Sequence, residues 1–521
     1  MSSTSPRKLP QISDFPSDQV NPAVLALLEI CHQQQEQIQE LRDEIARLKG
    51  QKPRPKIKPS KLESGTKKKR NKPNRRGKRS KTRDLKIHET IVIPPANIPK
   101  GSRFKGYKDF TVQDLRIELH NTCYRLERWK SPAGEEIVGT LPAEVDGNHF
   151  GTTLRSFILY QYYHSIVTQP LILELLREWH IDISAGKLSS VITEGKEEFH
   201  AEKEEILRAG LQLSDYVHVD DTGARHQGKN GYCTHIGNDV FAWFSSTESK
   251  SRINFLELLR AGHEDYVLND EALEYMRRQK LPKGLLEKLA AHGQKISNNK
   301  EEWEATLGEL GIAKNHLVRT TTEGALLGSM IEHGLNPDLV IVSDDAGQFN
   351  VLHHALCWIH AERVFVKLVG FSAPQREALA DVRTDIWDLY ADLKAYKADP
   401  DSKKKAELEA RFDKLCATKT CFVGLNKALQ RMHLNKAELL LVLERPDIPL
   451  HNNPSENDIR EYVKKRKISG STRSNNGRRC RDTFASLKKT CRKNRISFWE
   501  YLKDRICGAG RIPPLATWIF E

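Results

Sequence analysis

Residues 339–345 read LVIVSDD, an apolar run that ends in two adjacent acids. Four consecutive apolar residues are typical of a strand that is buried on both faces, as in sheets covered by helices. Residues 216–221 read YVHVDD and have a similar form, a short strand that ends in acid. Two such strands, separated by segments with helical periodicity, predict an α/β fold.

The acids at these strand ends are candidates for chemistry. Asp220 and Asp344 each follow an apolar strand, and ligands bind at the carboxyl ends of parallel strands. A third acid, Glu456, lies in the first turn of a predicted helix. Two aspartates on neighbouring strands and a carboxylate on a covering helix could hold two Mg²⁺ or Mn²⁺ ions for phosphodiester chemistry.

Each of these acids also has a purely structural interpretation. Asp and Gly are turn residues, so the two strand ends could simply be turns. For Glu456, Asn453 would be the N-cap, Pro454 the first helical residue, and Glu456 the capping-box partner at the third position. Spacing alone does not decide between these interpretations.

The regions around these strands show where the rest of the fold lies. Residues 231–238 and 240–246 read GYCTHIGN and VFAWFSS, two more strands joined by a turn at Gly237-Asn238-Asp239. Residues 262–335 and 373–445 are mostly helical and have the form of insertions. Residues 354–370, HALCWIHAERVFVKLVG, predict a helix.

The helical region before the first strand contains a possible DNA-reading motif. Residues 170–195 predict a helix, a turn around His180-Ile181-Asp182, and a second helix opened by Ser184. This spacing suits a helix-turn-helix, although any helical hairpin has similar spacing.

The positive charge of the chain is concentrated in one tract. Residues 49–83 contain 17 Lys and Arg residues and a single acid, Glu63, so this tract has a net charge of +16. The whole chain has a net charge of +14, so the other 486 residues together carry −2. Its composition is typical of a disordered segment. Dense positive charge favours contact with DNA phosphates, and the alternative is a solubilising linker. The six basic residues at its centre are Lys67, Lys68, Lys69, Arg70, Arg75 and Arg76.

A heptad pattern precedes the basic tract. Apolar residues recur in steps of three and four from Val24 to Leu48, with Cys31 and Gln34 as weak layers. This pattern predicts a short coiled coil that makes a homodimer or larger oligomer through residues 24–48. The alternative is a single amphipathic helix packed on the body of the protein.

Composition excludes several classes of protein. Nine Cys residues without a repeated CxxC pair argue against a disulfide scaffold and a zinc-ribbon array. No apolar run is long enough for a transmembrane helix, and the N-terminus lacks the apolar region of a signal peptide. We therefore expect a cytoplasmic protein that associates with the bacterial nucleoid and not with a membrane.

Four local strings resemble the insertion sequence 66 family of DDE transposases. They are HVDDTGARHQGKNGY, IVSDDAGQF, ALCWIHAERVF and NNPSENDIREYVKKRKISGS. The last string is the most specific, because seven or eight positions match the family pattern within 20 residues. The positions that correspond to the family pattern are Asp220, Asp221, Thr222, Gly228, Lys229, Gly231, Tyr232, Asp344, Phe349, Cys357, His360, Arg363, Asn452, Asn453, Glu456, Arg460, Arg466, Lys467, Gly470 and Ser471.

The resemblance implies an α/β protein with an RNase H-like mixed-sheet core, helical insertions, an N-terminal coiled coil and a small mixed DNA-binding region. It implies catalytic and metal-binding roles for Asp220, Asp344 and Glu456, with two Mg²⁺ or Mn²⁺ ions. The expected activity is cleavage and joining of double-stranded DNA, at the transposon ends and in target DNA. Small accessory transposition proteins are possible partners. We expect DNA contacts from Arg460, Lys464, Arg466, Lys467 and Arg473, and supporting roles for Asp221, Asp345, His360 and Asn453.

With this resemblance, the chain divides into seven regions. They are a coiled coil at 20–49, a basic disordered linker at 50–84, a small β-rich region without zinc at 85–145, a helical region at 146–212, the first part of the core at 213–372 with the insertion 262–335, a helical insertion at 373–445, and the C-terminal part of the core with the Glu456 helix at 446–521.

The sequence also departs from the family pattern. Asp221 stands where Glu is usual, and Asn457 stands where Arg often follows the catalytic Glu. Members often carry a Cys-rich zinc-binding element, but residues 85–145 contain only Cys123, so no zinc is expected. Two alternative functions stay open: a non-catalytic or domesticated DNA-binding relative, and a metal-dependent nuclease that cuts without joining.

Overall fold

The computed structural model describes residues 86–142, Val145 and residues 148–519. The predicted coiled coil and basic linker lie outside the described residues. The chain divides into two units, residues 1–120 and 121–521. Residues 86–120 have no helix or strand, and apolar side chains such as Ile93 and Phe110 are exposed there.

A short hairpin opens the second unit. Strands β1 (Arg128–Lys130) and β2 (Glu136–Val138) pair in antiparallel fashion. The turn between them contains Gly134 with φ 87°, a backbone conformation that glycine adopts without strain. This hairpin is the regular structure that the described part of residues 85–145 contains.

A group of helices then leads to the main sheet, and their inner faces are buried in the largest apolar core. Helix α1 continues directly into a π-helical turn at Tyr160–His164. Ser184 is the N-cap of α3, where its hydroxyl accepts a hydrogen bond from the Lys187 N–H. The helices are α1 (Thr152–Leu159), α2 (Gln169–Glu178), α3 (Ala185–Thr193) and α4 (Glu197–Leu213).

The main sheet has five strands in the order β5-β4-β3-β8-β9. Strands β3, β4 and β5 form an antiparallel meander, whereas β8 runs parallel to β3 and β9 runs parallel to β8. The sheet is therefore mixed, within an α/β fold. Its strands are β3 (Tyr216–Gly223), β4 (Tyr232–Gly237), β5 (Ala242–Thr247), β8 (Val340–Ser343) and β9 (His353–Leu356).

Strand β8 lies inside the sheet, between β3 and β9, and both of its faces are apolar. Ile341 belongs to the core that also contains Val217 and Val219 of β3. Val340 and Val342 belong to a second core on the opposite face. Side chains alternate between the faces of a strand, so the continuous run at 339–342 is buried from both sides.

The structure corrects the starting residue of one predicted helix. The segment that begins at His354 was predicted as a helix, but His353–Leu356 forms strand β9, and helix α10 (Trp358–Val366) begins after Cys357. A short apolar run next to a helix cannot be distinguished from the helix by periodicity alone. The nine residues 344–352 that join β8 to β9 contain no helix, a shorter connection than parallel strands usually need.

Helices occupy both segments that the sequence predicts as insertions. The first lies between β5 and β8 and includes a small two-stranded sheet; the second follows α10 and forms the apolar core with Val340 and Val342. Helix α5 (Arg252–Leu259) precedes the first insertion, whose elements are β6 (Tyr266–Val267), α6 (Asp270–Arg278), α7 (Lys283–Ala291), β7 (Ile296–Ser297), α8 (Lys300–Glu309) and α9 (Asn315–Glu332). Those of the second are α11 (Ala373–Ala398), α12 (Ser402–Ala417), α13 (Val423–Leu434), α14 (Lys436–Leu439) and a 3₁₀ turn (Leu441–Leu443).

Three helices complete the chain: α15 (Asn453–Ser469), α16 (Asn475–Lys493) and α17 (Phe498–Cys507), followed by a 3₁₀ turn (Leu515–Ile519). Ile459 and Tyr462 of α15 pack on Phe244 of β5, so α15 covers the sheet. None of the helices in the described part of the chain combines the length and apolar character needed to cross a membrane.

Candidate active site

Asp220 lies on the face of the sheet that α15 covers. It pairs across the strands with His235, and directly opposed residues project to the same face. The His235 ring contacts Ser455 of α15, with Nδ1 2.7 Å from the serine hydroxyl. Asp221 therefore projects to the other face, where its carboxylate accepts hydrogen bonds from Thr234 and Gln348.

Asp344 lies beside Asp220. Tyr216, Val217 and His218 of β3 pair with Val340, Ile341 and Val342 of β8. Continued past the end of β8, this register places Asp344 opposite Asp220. Since neighbouring strands lie about 4.8 Å apart, the two carboxylates share one edge and one face of the sheet.

Glu456 reaches the same region from the first turn of α15. Its Oε1 is 3.1 Å from Arg363 Nη1 and 3.5 Å from His360 Nε2, both on α10. Its Oε2 is 3.4 Å from Arg460 Nη2, one turn further along α15. The side chain is largely buried, so these contacts neutralise a carboxylate that water solvates poorly.

The start of α15 is fastened to the strand that carries Asp220. Asn452 is completely buried; its side-chain N–H donates to the Val219 carbonyl over 2.8 Å, and its Oδ1 is 3.0 Å from His218 Nδ1. Because that oxygen only accepts, His218 carries its proton on Nδ1. Burial lowers the pKa of His218 to about 3, so the ring is neutral. The backbone N–H of Asn452 also donates to Cys357 Sγ.

The capping box that the structural interpretation of Glu456 requires does not form. The N-cap position is Asn452, and Asn453 is the first helical residue, which places Glu456 at the fourth position and not the third. The Asn452 side chain makes no capping hydrogen bond, because it is used between the helix and β3. Either of two consecutive Asn residues can be the N-cap of a helix, so here the tertiary contacts decide which one it is.

The electrostatics of Asp220 reflect the gathering of acids. Burial, followed by the negative charges of Asp344, Asp221 and Glu456, raises the pKa of Asp220 to about 7, although a hydrogen bond from the Asp221 N–H opposes the rise. Strongly perturbed acids of this kind are enriched at functional sites. Strands β3 and β8 and helix α15 together place more negative charge around Asp220 than β3 alone would.

His360 has a defined tautomer. Arg363 Nη1 lies 3.0 Å from His360 Nε2, and a guanidinium only donates, so Nε2 accepts and Nδ1 carries the proton. Burial and the neighbouring Arg363 charge lower the pKa of His360, which keeps the ring neutral. Its Nδ1 is buried and has no hydrogen-bond partner within the described residues.

The two other predicted supporting residues, Asp345 and Asn453, differ in their contacts. Asp345 is exposed and forms an ion pair with Arg431 of α13. Asn453 lies next to the buried Asn452 but has no side-chain hydrogen bond among the described residues. Cys357 is buried and accepts a hydrogen bond from the Asn452 N–H, while His360 contacts Glu456, so these two side chains have separate partners.

Basic residues lie along α15 and the loop that follows it. Arg460 contacts Glu456, and Arg466 Nη1 is 3.3 Å from the hydroxyl of Thr222, two residues beyond Asp220. Three further predicted DNA contacts are exposed: Lys464, Lys467 and Arg473. The six basic residues of the N-terminal tract lie outside the described residues.

The loop between β3 and β4 joins the loop after α15. The Gln227 N–H donates to the Thr472 carbonyl over 2.8 Å, and His226 Nδ1 lies 2.8 Å from the Thr472 hydroxyl. This contact brings the exposed Arg225 and Lys229 to the same side as Arg473. The result is a basic rim next to the acids.

Another cluster has the composition of a metal site. Within the described ranges, only His263, Asp265 and His333 form a group of three possible ligands whose atoms lie within 4.8 Å of one another. The two rings stack with centroids 3.5 Å apart, and His333 Nε2 lies 3.0 Å from both Asp265 oxygens. Parallel stacked rings cannot both aim an in-plane nitrogen at one ion, so this is a hydrogen-bonded cluster around a carboxylate.

Several residues that shape the site were missed from the sequence. His218 and His235 were assigned only to the sheet, and Asn452 and Arg363 were noted only as matched positions. All four determine where Glu456 lies relative to Asp220. The available signal was that these polar residues occur inside otherwise apolar strings, where buried polar groups need partners.

The chain is similar to known proteins over the segment that carries two of the three acids. A family model described as "Transposase IS66 family" matches residues 340–479, a range that contains Asp344, His360 and Glu456 and begins after Asp220. The uncharacterized protein y4jO of Sinorhizobium fredii (strain NBRC 101917 / NGR234) is 45% identical over 315 residues, which cover 60% of this chain and 98% of the relative. Strand β8, helix α10 and helix α15 all fall in the matched range, and the chain belongs to the IS66 family of transposases.

Proposed function

We propose that this protein is a DDE transposase that cleaves DNA at the ends of an insertion sequence and joins the cleaved ends to target DNA. The observation that carries the proposal is the gathering of Asp220, Asp344 and Glu456 on one face and one edge of the sheet. The sheet order, three antiparallel strands followed by two parallel ones, is compatible with an RNase H-like core.

The three acids suit divalent cations. They supply oxygen ligands only, which favours Mg²⁺ or Mn²⁺ over softer metals. Burial, and after it the negative charges of neighbouring acids, raise the pKa of Asp220, and a divalent cation would favour its charged form. Two such ions, when bound, would activate the attacking oxygen and stabilise the leaving oxygen in an in-line displacement.

Other side chains would position the acids and bind the DNA backbone. Arg363 and His360 contact Glu456 through its Oε1, so they would orient this carboxylate from α10. Asp221, held by Thr234 and Gln348, would keep the end of β3 in place. Arg466, Lys464, Lys467 and Arg473 would bind the DNA backbone beside the acids, since Lys and Arg contacts with phosphates position a duplex without reading its sequence.

The test is a cleavage assay with labelled DNA from the two boundaries of the insertion sequence. Wild-type protein should nick these ends only when Mg²⁺ or Mn²⁺ is present. Asp220→Asn, Asp344→Asn and Glu456→Gln should each lower the rate by at least about 100-fold, because each removes charge that stabilises the transition state. A matched control, Asp338→Asn, changes an exposed acid in the loop before β8 and should leave the rate unchanged.

The same assay separates the alternatives. Nicking followed by transfer of the 3′ end to a second duplex supports the transposase. Nicking without transfer would indicate a nuclease, and binding without any difference between wild type and the three variants would indicate a non-catalytic DNA-binding relative. Self-association through residues 24–48 and accessory proteins stay predictions.

A further inference from the structure

A cleft opens between helix α10 and the second helical insertion, directly beside the acids. It has an empty volume of about 440 Å³ including its open mouth. One wall comes from β9 and α10, and the other from α13 and the segment after it. The cleft is lined by Asp345, Leu356, Cys357, His360, Ala361, Val364, Phe365, Ala428, Arg431, Met432, Asn435 and Leu439.

The cleft has an apolar interior and a polar edge. Val364, Phe365 and Met432 form its interior, and Met is a side chain that adapts to ligands of different shape. The polar edge carries two groups with unused hydrogen-bonding capacity within the described residues. His360 has its proton on the buried, unpartnered Nδ1, and the side-chain amide of Asn435 makes no hydrogen bond.

The position of the cleft links it to the acids. His360 both lines the cleft and lies 3.5 Å from Glu456. Asp345 lines the mouth and directly follows Asp344 in the chain. A group that enters the cleft would therefore lie next to a residue that contacts Glu456 and next to the residue that follows Asp344.

The walls of the cleft are fastened together, so it is preformed. Trp358 Nε1 at the start of α10 donates to the Leu439 carbonyl over 2.8 Å. Asn350 in the loop after β8 donates to Glu438 over 2.8 Å, and Arg431 pairs with Asp345 across the mouth. These contacts tie the second insertion to the loop that carries Asp344.

We infer that this cleft receives a single DNA base, unstacked from the duplex next to the phosphate that is cleaved. The inference rests on the proposed function, since DNA is the substrate there. A base is flat and apolar on its faces and carries donors and acceptors at its edge, which matches apolar walls that carry His360 on one side and Asn435 on the other. A phosphate suits the cleft less well, because the walls are apolar and the lining cation, Arg431, is already paired with Asp345.

Binding a base here would give the second insertion a role in cleavage. Unstacking one nucleotide turns the backbone and exposes the adjacent phosphate, at a free-energy cost that contacts in a pocket can offset. The insertion would then select the position of cleavage by capturing the neighbouring base. Ala361 on α10 and Ala428 on α13 leave room for it on opposite walls.

The test first narrows the cleft with larger side chains and then removes the base from the DNA substrate. Ala361→Met and Ala428→Met narrow it from opposite sides, and Ala437→Met, on the exposed side of α14 and outside the lining, is the matched control. Thermal unfolding establishes that all three variants are folded. Boundary DNA carries 2-aminopurine, whose fluorescence rises when it unstacks, at each nucleotide beside the cleavage position in turn.

The expected result has two parts. Wild type and Ala437→Met should raise the fluorescence at one position without metal, and the two cleft variants should not. With Mg²⁺, the cleft variants should cleave at least about tenfold more slowly, because the unstacking cost is no longer offset, and an abasic nucleotide at that position should restore their rate.

Other outcomes overturn the inference. It is wrong if no flanking position responds, if the cleft variants cleave like wild type, or if the abasic nucleotide does not restore a lowered rate. Absence of metal-dependent cleavage by wild type, with a base signal that both cleft variants abolish, would overturn the proposed function and leave the base site supported.

Discussion

Asn452 shows how one buried residue can set the geometry of a site that it does not enter. It fastens the start of α15 to His218 and to the Val219 carbonyl, one residue before Asp220. Glu456 follows one helical turn later, so the distance from Glu456 to Asp220 depends on these two hydrogen bonds. Asn452 is a positioning residue, since the described contacts connect it to the scaffold and not to the acids.

Asn452→Ala is expected to destabilise the protein. The substitution leaves the Nδ1–H of His218 and the Val219 carbonyl buried without partners, and each unpaired group costs about 1–3 kcal/mol. We expect urea unfolding to show a loss of about 2–4 kcal/mol. Asn476→Ala, at an exposed position on α16, is the control and should change little. A loss below about 0.5 kcal/mol for Asn452→Ala would contradict the assigned hydrogen bonds.

At the scale of elements, helix α16 covers one edge of the main sheet. It runs along the edge strand β5, and its side chains accept hydrogen bonds from N–H groups that no further strand pairs. The Phe244 N–H donates to Ser486 over 2.9 Å, and the Ser246 N–H donates to Asp482 over 2.8 Å. These acceptors are four residues apart and share one helix face. The helix thus covers an edge that would otherwise be open to pairing with another chain.

Helices α15 and α16 also enclose unusual charges. Lys465 is buried with its Nζ 2.6 Å from the Tyr162 carbonyl and 3.3 Å from the centre of the Tyr162 ring. Burial, together with the charges of Arg481 and Lys488, lowers the pKa of Lys465 to about 7. Its neighbours Lys464 and Lys467 are exposed, so a single basic string contributes to both the interior and the surface.

The stability of a Lys465→Met variant should depend on pH differently from that of wild type. Between about pH 7 and 10.5 the unfolded chain binds a proton at Lys465 that the folded chain does not, so wild-type stability rises with pH across this window. The variant lacks this penalty. We expect it to be more stable than wild type by about 2 kcal/mol at pH 6, after allowing for the lost hydrogen bond, with the difference shrinking towards pH 10.

Urea unfolding at pH 6, 8 and 10 checks this expectation. Lys464→Met, at the exposed neighbouring position, serves as the control and should show no pH-dependent difference. An advantage for Lys465→Met that stays constant from pH 6 to 10 would mean that the buried lysine titrates near its ordinary pKa.

At the scale of the whole molecule, helix α5 and the second insertion both reach the loop that carries Asp344. Arg252 of α5, which precedes the first insertion, donates to the Gly347 carbonyl over 2.6 Å. Arg431 of the second insertion pairs with Asp345. The acid-bearing loop is therefore held from two sides by helices that are distant from each other in sequence.

The N-terminal tract should control how strongly salt weakens DNA binding. Replacing Lys67, Lys68, Lys69, Arg70, Arg75 and Arg76 with Gln in the full chain removes six positive charges. Each phosphate contact contributes about 0.9 to the slope of log K against log salt, so the slope should fall by up to about five. Cleavage of saturating DNA should persist, because the acids are unchanged.

Fluorescence anisotropy with labelled duplex at several salt concentrations measures this slope. A control protein carries Lys283→Gln, Lys288→Gln and Lys300→Gln, which change exposed lysines of the first insertion. If the slope stays the same in the tract variant, the tract is a linker and the DNA phosphates are contacted elsewhere.

The sequence by itself determined the elements whose signals are local. The apolar run at 339–342, the strand ending at Asp220, the turn at Asn238 and the N-cap at Ser184 each depend on neighbouring residues, and the structure has each of them. Matched strings were enough to select Asp220, Asp344 and Glu456, because a family pattern preserves spacing along the chain.

Only the tertiary structure decided which side chains meet. Strand β9 was hidden beside a helix, and the choice of Asn452 over Asn453 as the N-cap followed from hydrogen bonds to β3, 233 residues away. The contacts of Arg363 with Glu456 and the burial of Lys465 likewise join elements far apart in sequence. Local propensities are weak compared with the free energy of burying apolar faces and pairing buried polar groups, so packing settles these positions.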